Sequence, residues 1–241
     1  MKKLLLFILL LPLGYAAQAQ DDYDNLLEML VDEKYEKLLY RAEKYTLDDK
    51  TKKQPLPYLY MSMAYYEINK TPEEFDEDLS GKAFNNCLKY CVKHRKKDKE
   101  NEYYTEYEDF FDDVRKGAIA EAELNIDMLK FTKSKSYFKY LVSIDKSDPG
   151  AWMMKGMSEF KLKSRKDSGL SWDKAKEIVE SGGAEVLTKV QLGLFKRAII
   201  YCAEMWDEAG ESEKARTWLE LGYEYFKDDR EYNVTFESIS G

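Results

Sequence analysis

Apolar residues recur every three or four positions through most of the chain, which is the spacing of one face of an α-helix. Stretch 103–130 is the clearest case, with apolar positions at Tyr103, Tyr107, Phe110, Phe111, Val114, Ala118, Ala122 and Leu129. Alternating runs of strand length are almost absent, and only Val234 and Phe236 near the end suggest a strand. The pattern therefore predicts an all-α protein of about ten helices.

A few prolines and glycines mark where these helices begin and end. Pro55 and Pro57 precede a helix, and Pro149 follows a helix end. Thr71-Pro72-Glu73-Glu74 has the form of a capping box, with a hydroxyl at the N-cap and glutamate three positions on. Gly182-Gly183 is typical of a helix stop. Short polar turns between these points predict helices that pack in antiparallel neighbours.

The first nineteen residues have the form of a secretory signal peptide. Lys2 and Lys3 precede an apolar core from Leu4 to Leu13, and Ala17-Gln18-Ala19 places small residues at a cleavage site. We expect cleavage after Ala19 and export. The apolar run is too short for a membrane span, which needs about 20 residues, and no second run approaches that length. We therefore expect no transmembrane segment.

Charge and histidine content exclude several classes of function. The 241 residues hold 46 acidic and 38 basic side chains, a formal charge of −8, which disfavours nucleic-acid binding. One histidine, His94, leaves no room for multi-histidine metal sites and argues against histidine-based triads. Residues 76–81 match the opening of a calcium-binding EF-hand loop, but Cys87 stands where the bidentate glutamate belongs. We expect a turn there, with Ser80 capping the next helix, and neither a metal nor a cofactor.

Three cysteines, Cys87, Cys91 and Cys202, are too few and too uneven for a disulfide scaffold. Cys87 and Cys91 are four residues apart and share one helical face with Leu79 and Ala83. A redox pair or half of a metal site would use the same spacing. Buried packing thiols are the interpretation that the apolar face favours.

One segment carries the pattern of a helical repeat. A turn glycine, an alanine that opens a helix and two packing positions follow one another at Gly210, Ala215, Leu219 and Gly222. Upstream, an order of large, large, small and large side chains runs through Ile199, Cys202, Ala203 and Trp206, and it recurs at Tyr58, Met61, Ser62 and Tyr65. These residues resemble the two helices of a tetratricopeptide repeat.

Asp148-Pro149, followed by Trp152, Gly156 and Phe160, resembles the boundary between two repeats of the same family. The resemblance covers most of residues 22–228 and is irregular, because the spacing of first-helix positions departs from the family period of about 34. It implies an α-solenoid of antiparallel helix pairs in which small residues allow close approach. A helical bundle without repeats is the alternative.

The resemblance also implies a ligand-facing groove lined by first-helix positions. In this sequence the positions that we expect to contact a partner are Leu59, Met63, Tyr66, Met153, Met157, Phe160, Glu204 and Asp207. Apolar and methionine-rich side chains would bind by burying area, and the two acidic residues would orient a basic flank of the partner. Burial of the same helices by neighbouring helices is the competing interpretation.

The sequence thus predicts a signal peptide over 1–19, a helical-repeat domain over 20–228 and a tail over 229–241. The predicted function is a non-catalytic scaffold or adaptor that binds a protein segment. The start of the mature chain resembles exported proteins of Bacteroidetes-type bacteria, which implies the periplasm. A helical enzyme that cleaves peptidoglycan, using Glu211-Ser212 or Glu237-Ser238, is one alternative, and a structural subunit of an outer-membrane or secretion assembly is another.

Overall fold

The computed structural model describes residues 23–240, and these residues form helices and turns with no β-strand. Contacts divide the chain into two compact units, and the division along the sequence falls between Glu108 and Asp109. The helices of unit 1 are α1 (Asp24–Val31), α2 (Tyr35–Leu47), α3 (Leu56–Lys70), α4 (Glu77–Ser80), α5 (Ala83–Arg95) and α6 (Glu102–Glu106), with a 3-10 turn over Pro72–Glu74. The all-α prediction is confirmed for the described residues.

Unit 2 contains seven helices and a second 3-10 turn, Gly183–Val186. The helices are α7 (Glu108–Asp127), α8 (Phe131–Ile144), α9 (Pro149–Lys161), α10 (Arg165–Glu180), α11 (Lys189–Glu208), α12 (Ser212–Phe226) and α13 (Arg230–Ser240). Within residues 23–240 the chain therefore has thirteen α-helices, several of them only one or two turns long. None of these helices is long and apolar enough to cross a membrane.

The core of unit 1 is built around α3. This helix packs against α2 on one side and α5 on the other, and α1 also contacts it. Because two neighbours cover it, nearly every residue from Leu56 to Ala64 is buried, without a polar outer face. At the end of α5, the Nδ1 atom of His94 lies 3.1 Å from the carbonyl oxygen of Pro55, which joins α5 to the start of α3.

The core of unit 2 is built around α9 and α11. Helix α9 packs against α8, α10 and α11, and α11 packs against α12 and α13. Small residues make the approach close: a β-carbon at Gly150 would lie 2.7 Å from the backbone nitrogen of Phe195. The predicted pairing of α11 with α12 is confirmed, with Ala215 and Leu219 fully buried and Gly210 in the left-handed turn between the helices.

A buried charge cluster joins three elements of unit 2. The guanidinium of Arg115 on α7 pairs with Asp112 on the same helix and lies 3.6 Å from both Asp145 and Asp148 in the turn before α9. Gln191 at the start of α11 donates to Asp145 at 2.7 Å. Asp148 caps α9 by accepting from the Ala151 backbone nitrogen, and burial raises the pKa of its carboxyl to about 6 against the opposing charge of Arg115.

Some of the sequence-based element boundaries are wrong. Tyr107 interrupts the predicted long helix between α6 and α7, and Leu129 is exposed because it takes the left-handed conformation in the following turn. Thr71 makes no capping box: its hydroxyl donates back to the carbonyl of Glu67. The cap at the EF-hand-like turn comes from Asp76, which accepts from the Leu79 backbone nitrogen, rather than from Ser80.

The segment described as a tail is a helix of unit 2. The side chain of Tyr232 on α13 is fully buried and donates to the carbonyl of Leu219 on α12. The ammonium of Lys196 on α11 forms ion pairs with the carboxylates of Asp229 at 2.9 Å and Glu231 at 2.8 Å. The strand suggested by Val234 and Phe236 is therefore corrected to helix, and the expected boundary after residue 228 does not separate α13 from the core. The predicted signal peptide lies outside the described residues.

Candidate functional site

Four aromatic rings from four helices of unit 2 meet at one place. Phe160 lies near the end of α9, Trp172 on α10, Trp206 near the end of α11 and Trp218 on α12. The centroids of Phe160 and Trp206 are 4.9 Å apart, those of Trp172 and Trp206 are 5.5 Å apart, and those of Trp172 and Trp218 are 6.1 Å apart, all in edge-to-face orientation. Edge-to-face contacts of this kind stabilise aromatic clusters beyond the area that they bury.

Cationic side chains lie on the faces of three of these rings. Arg165 is 3.6 Å from the centroid of Phe160, Lys214 is 4.7 Å from that of Trp206, and Lys176 is 4.9 Å from that of Trp218. Lys214 also pairs with Glu211 at 3.2 Å. The cluster thus combines large apolar surfaces with positive charge on a chain that is acidic as a whole.

The three tryptophans line an open depression of about 270 Å³, which we name the tryptophan groove, and Phe160 contacts two of them beside it. Its lining residues are Gly169, Trp172, Asp173, Lys176, Trp206, Lys214, Thr217 and Trp218. Trp172 and Trp206 are half-buried, and Trp218 is buried beneath them. A β-carbon at Gly169 would meet no atom within 4 Å, so there is open space beside this lining residue.

Backbone packing fixes the position of Trp172. Its Nε1 atom donates to the carbonyl of Met153 at 3.2 Å, and a β-carbon at Gly156 would lie 2.6 Å from its ring. The Nε1 atom of Trp206 is buried and finds no acceptor among residues 23–240. The groove therefore holds one indole that is anchored to α9 and another with an unused donor.

The structure distributes the predicted contact residues between core and surface. Leu59, Met153 and Met157 are fully buried, and Met63 is buried as well. This burial corrects the expectation of an open methionine-rich lining: α3 and α9 are each covered by helices on more than one side. Whether any of the eight residues binds a partner stays a prediction.

The other four predicted residues reach the surface. Tyr66 and Phe160 are half-buried. The ammonium of Lys70 lies 5.5 Å from the centroid of the Tyr66 ring, and Phe160 contacts Trp172 beside the tryptophan groove. Glu204 and Asp207 are exposed on α11. Burial, followed by repulsion from Glu208 and Glu231, raises the pKa of Glu204, whereas Asp207 accepts from the Ser212 hydroxyl at 2.8 Å in the turn to α12.

Sequence reasoning missed most of the groove. The repeat pattern predicts only a packing role for Trp206 and no contact role for Trp172, Trp218, Lys176 or Lys214. A usable signal existed, because three of the four tryptophans of the chain lie between residues 172 and 218. Large aromatic side chains that stay half-exposed are typical of binding surfaces.

The residues proposed for peptidoglycan cleavage do not form a cleft. Glu211 and Glu237 are both exposed, one before α12 and the other on α13. A different serine, Ser171, donates to Glu159 at 2.7 Å and accepts from Lys155 at 2.8 Å, but Ser171 and Glu159 are buried between α9 and α10. This trio joins two helices and offers no accessible nucleophile.

All three thiols are buried, which confirms the prediction of packing thiols. Leu79, however, lies on α4 and not on the face of α5 that carries Ala83, Cys87 and Cys91. Burial, followed by a hydrogen bond with Cys91, raises the pKa of Cys87 well above its ordinary value, and burial raises the pKa of Cys202 to about 12. Among the described residues, no group of three or more histidine, cysteine, aspartate or glutamate side chains is placed to hold a metal ion.

No protein-family model matches the sequence, and no curated protein matches it. Among solved structures the chain is similar to the C-terminal part of a TPR repeat-containing protein from Cytophaga hutchinsonii. The identity is 11%, the match covers 88% of this chain and 98% of that chain, and the TM-score is 0.32. A TM-score of this size does not establish a shared topology, so the tetratricopeptide resemblance still rests on the residues that carry it.

Proposed function

We propose that this chain is a non-catalytic scaffold that binds a segment of a partner protein in the tryptophan groove. The observation that carries the proposal is the cluster of Trp172, Trp206 and Trp218 around an open depression. Tryptophan is enriched at the centres of protein interfaces, where a large rigid ring buries much area at small entropic cost. The half-buried state of two of these rings leaves area for a partner to cover.

The residues around the groove support binding of a peptide rather than chemistry. Its lining contains no cysteine, histidine or serine, and its single acid, Asp173, is exposed. Lys176 and Lys214 would contact acidic or carbonyl groups of the segment, and the free Nε1 donor of Trp206 would take an acceptor if its ring shifted slightly. Location in the periplasm, and membership of an envelope or secretion assembly, are part of the proposal and rest on the signal-peptide pattern of residues 1–19.

Selection of short peptides from a displayed library against the full-length protein tests the proposal. A selected peptide is then titrated while tryptophan fluorescence is followed, since a segment in the groove changes the surroundings of three indoles. Gly169→Phe should fill the groove and weaken binding at least about tenfold, which corresponds to about 1.4 kcal/mol.

The matched control changes the neighbouring residue. Leu170→Phe alters a side chain on the same helix that is exposed and does not line the groove, so affinity should stay within about twofold. Peptides that bind both variants equally would place the binding surface elsewhere and contradict the proposal.

A further inference from the structure

Unit 1 contains a separate depression that the proposed function does not use. It has a volume of about 480 Å³ and lies among α2, α3 and the region from Asp76 to the middle of α5. Its lining residues are Glu36, Leu39, Tyr40, Glu43, Met61, Tyr65, Asp76, Asp78, Leu79, Asn86 and Tyr90. We name it the tyrosine groove after Tyr40, Tyr65 and Tyr90.

Two of the lining tyrosines, Tyr65 and Tyr90, are held by contact with each other. Tyr65 and Tyr90 stack with centroids 5.6 Å apart and planes inclined by 10°, which fixes both rings. Neither hydroxyl makes a hydrogen bond to another described residue, so both are available to a ligand or to solvent. Tyr40 is 66% exposed on the opposite wall.

Every charged residue that lines the tyrosine groove is acidic. Asp78 forms an ion pair with Lys82, with the ammonium nitrogen 2.8 Å from a carboxylate oxygen. One carboxylate oxygen of Asp76 accepts the hydrogen bond that caps α4. Glu36 and Glu43 are exposed and have no ion-pair partner among residues 23–240. The charge of Glu43 also acts on the tyrosine hydroxyls. Burial is the largest cause of the raised pKa of Tyr65, and the Glu43 charge is the second. For Tyr90, burial raises the pKa most, followed by Tyr65 and then by Glu43.

Rings of this unit already hold cations from the chain itself. The ammonium of Lys44 lies 4.2 Å from the centroid of Tyr40, and that of Lys93 lies 4.6 Å from that of Tyr90. Neither lysine lines the groove, and neither pairs with the carboxylate of Glu36 or Glu43. The groove therefore matches a ligand that supplies positive charge together with an apolar stem, as lysine and arginine side chains do.

We propose that the tyrosine groove is a docking surface for an extended, lysine- or arginine-bearing segment of a partner protein. The groove is much larger than one ammonium group, so several successive residues are needed to fill it. Alternate side chains of the segment would pair with Glu36 and Glu43, and its backbone would meet the hydroxyls of Tyr65 and Tyr90. This surface is independent of the tryptophan groove, and variants of one leave the other unchanged.

Fluorescence anisotropy with the full-length protein tests the charge preference. The probe is a fluorescein-labelled peptide of alternating lysine and leucine, and its counterpart carries glutamate in place of lysine. The lysine peptide should bind at least about tenfold more tightly at low salt and should weaken as salt is raised. Equal binding of the two peptides would overturn the proposal.

Paired variants separate the groove from the general negative charge of the protein. Glu36→Gln with Glu43→Gln should weaken binding of the lysine peptide by about fivefold or more. Glu73→Gln with Glu100→Gln removes the same charge from exposed positions of unit 1 outside the groove and should have much less effect. Equal losses in the two double variants would show attraction to the whole surface and overturn the assignment.

A third variant removes a ring instead of a charge. Tyr40 is exposed enough that Tyr40→Ala leaves the core unchanged, which circular dichroism would verify. Loss of peptide affinity in Tyr40→Ala supports the groove, whereas unchanged affinity contradicts a ligand seated between its walls.

Discussion

The indole of Trp172 on α10 lies so close to Gly156 on α9 that no β-carbon fits between them. This contact sets the distance between the two helices and holds Trp172 at the depth where its ring can also meet Phe160 and Trp206. A glycine in the middle of a helix is unfavourable by itself, so its presence here reflects the need for close packing.

Gly156→Ala should therefore lower the free energy of unfolding by about 1–3 kcal/mol, because the added carbon would displace the indole or separate the helices. Urea denaturation followed by circular dichroism measures the change. Gly193→Ala is the matched control, since its β-carbon would lie an ordinary 3.6 Å from the Arg197 guanidinium. The control should be neutral or more stable by up to about 1 kcal/mol. A neutral Gly156→Ala would show that the contact does not constrain α9 and α10.

Arg115→Met should destabilise the protein by about 3–5 kcal/mol, because it leaves the carboxylates of Asp145 and Asp148 buried without a counter-charge. The loss should shrink as pH falls below about 6, where the Asp148 carboxyl is protonated and no longer needs a counter-charge. Lys116→Met, which breaks only an exposed pair with Asp113, should change stability by less than about 1 kcal/mol. Similar losses in both variants would contradict the role of the buried cluster.

The pKa of Asp148 predicts a second pH effect. Its folded-state pKa, raised to about 6, lies above the ordinary value near 3.8, so the folded protein binds the proton more tightly than the unfolded chain. This group's contribution to stability should therefore fall as pH rises from about 4 to 6. Asp148→Asn keeps a cap for α9 and should remove that dependence, as denaturation at several pH values would reveal. An unchanged pH profile in the variant would refute the assignment.

His94 should act in the opposite direction. Burial lowers its pKa despite the hydrogen bond to Pro55 and the nearby Asp98 carboxylate, and Arg95 lowers it further. Below about pH 6.5 the unfolded chain binds the proton more readily, so stability should be lost as pH falls, by at most about 1.4 kcal/mol per pH unit. Because the chain has one histidine, subtracting the profile of His94→Gln isolates the effect. A flat difference between the two profiles would contradict a lowered pKa.

Burial of Cys87, Cys91 and Cys202 predicts slow thiol chemistry. Reaction with an aromatic disulfide reagent should be at least about a hundredfold slower in the native protein than in denaturant, because the reagent cannot reach the three buried thiols. The raised pKa values of Cys87 and Cys202 slow those two further, since they form little thiolate. Native and unfolded rates that coincide would show that the thiols are accessible.

Helical periodicity was sufficient to predict the fold class, because apolar spacing reports local geometry. It could not predict which helices are covered on two sides. Met153 and Met157 have the same spacing whether α9 has an open face or packs between α8, α10 and α11. In α13, the buried residues are Tyr232 and Thr235, three positions apart, so the strand-like spacing of Val234 and Phe236 was misleading.

The clustering of tryptophans in the sequence marked the region of the groove, but the arrangement of the rings could not be predicted, for a related reason. The three tryptophans that line the groove and the neighbouring Phe160 come from four helices, and their convergence depends on the close approach at Gly156 and on the stacking of α10, α11 and α12. Only Phe160 appeared among the expected contact residues. The others follow from tertiary packing, which a single sequence does not encode in a local pattern.

Site-specific photo-crosslinking tests the central claim most directly. A benzophenone amino acid is placed at Thr217, an exposed residue that lines the tryptophan groove, and in a separate protein at the adjacent exposed Arg216, which does not line it. After irradiation with envelope proteins of the source organism, position 217 should yield a discrete adduct whose crosslinked segment is identified by mass spectrometry, and position 216 should not. Adducts that are the same at both positions, or that form only at position 216, would contradict a partner segment bound in this groove.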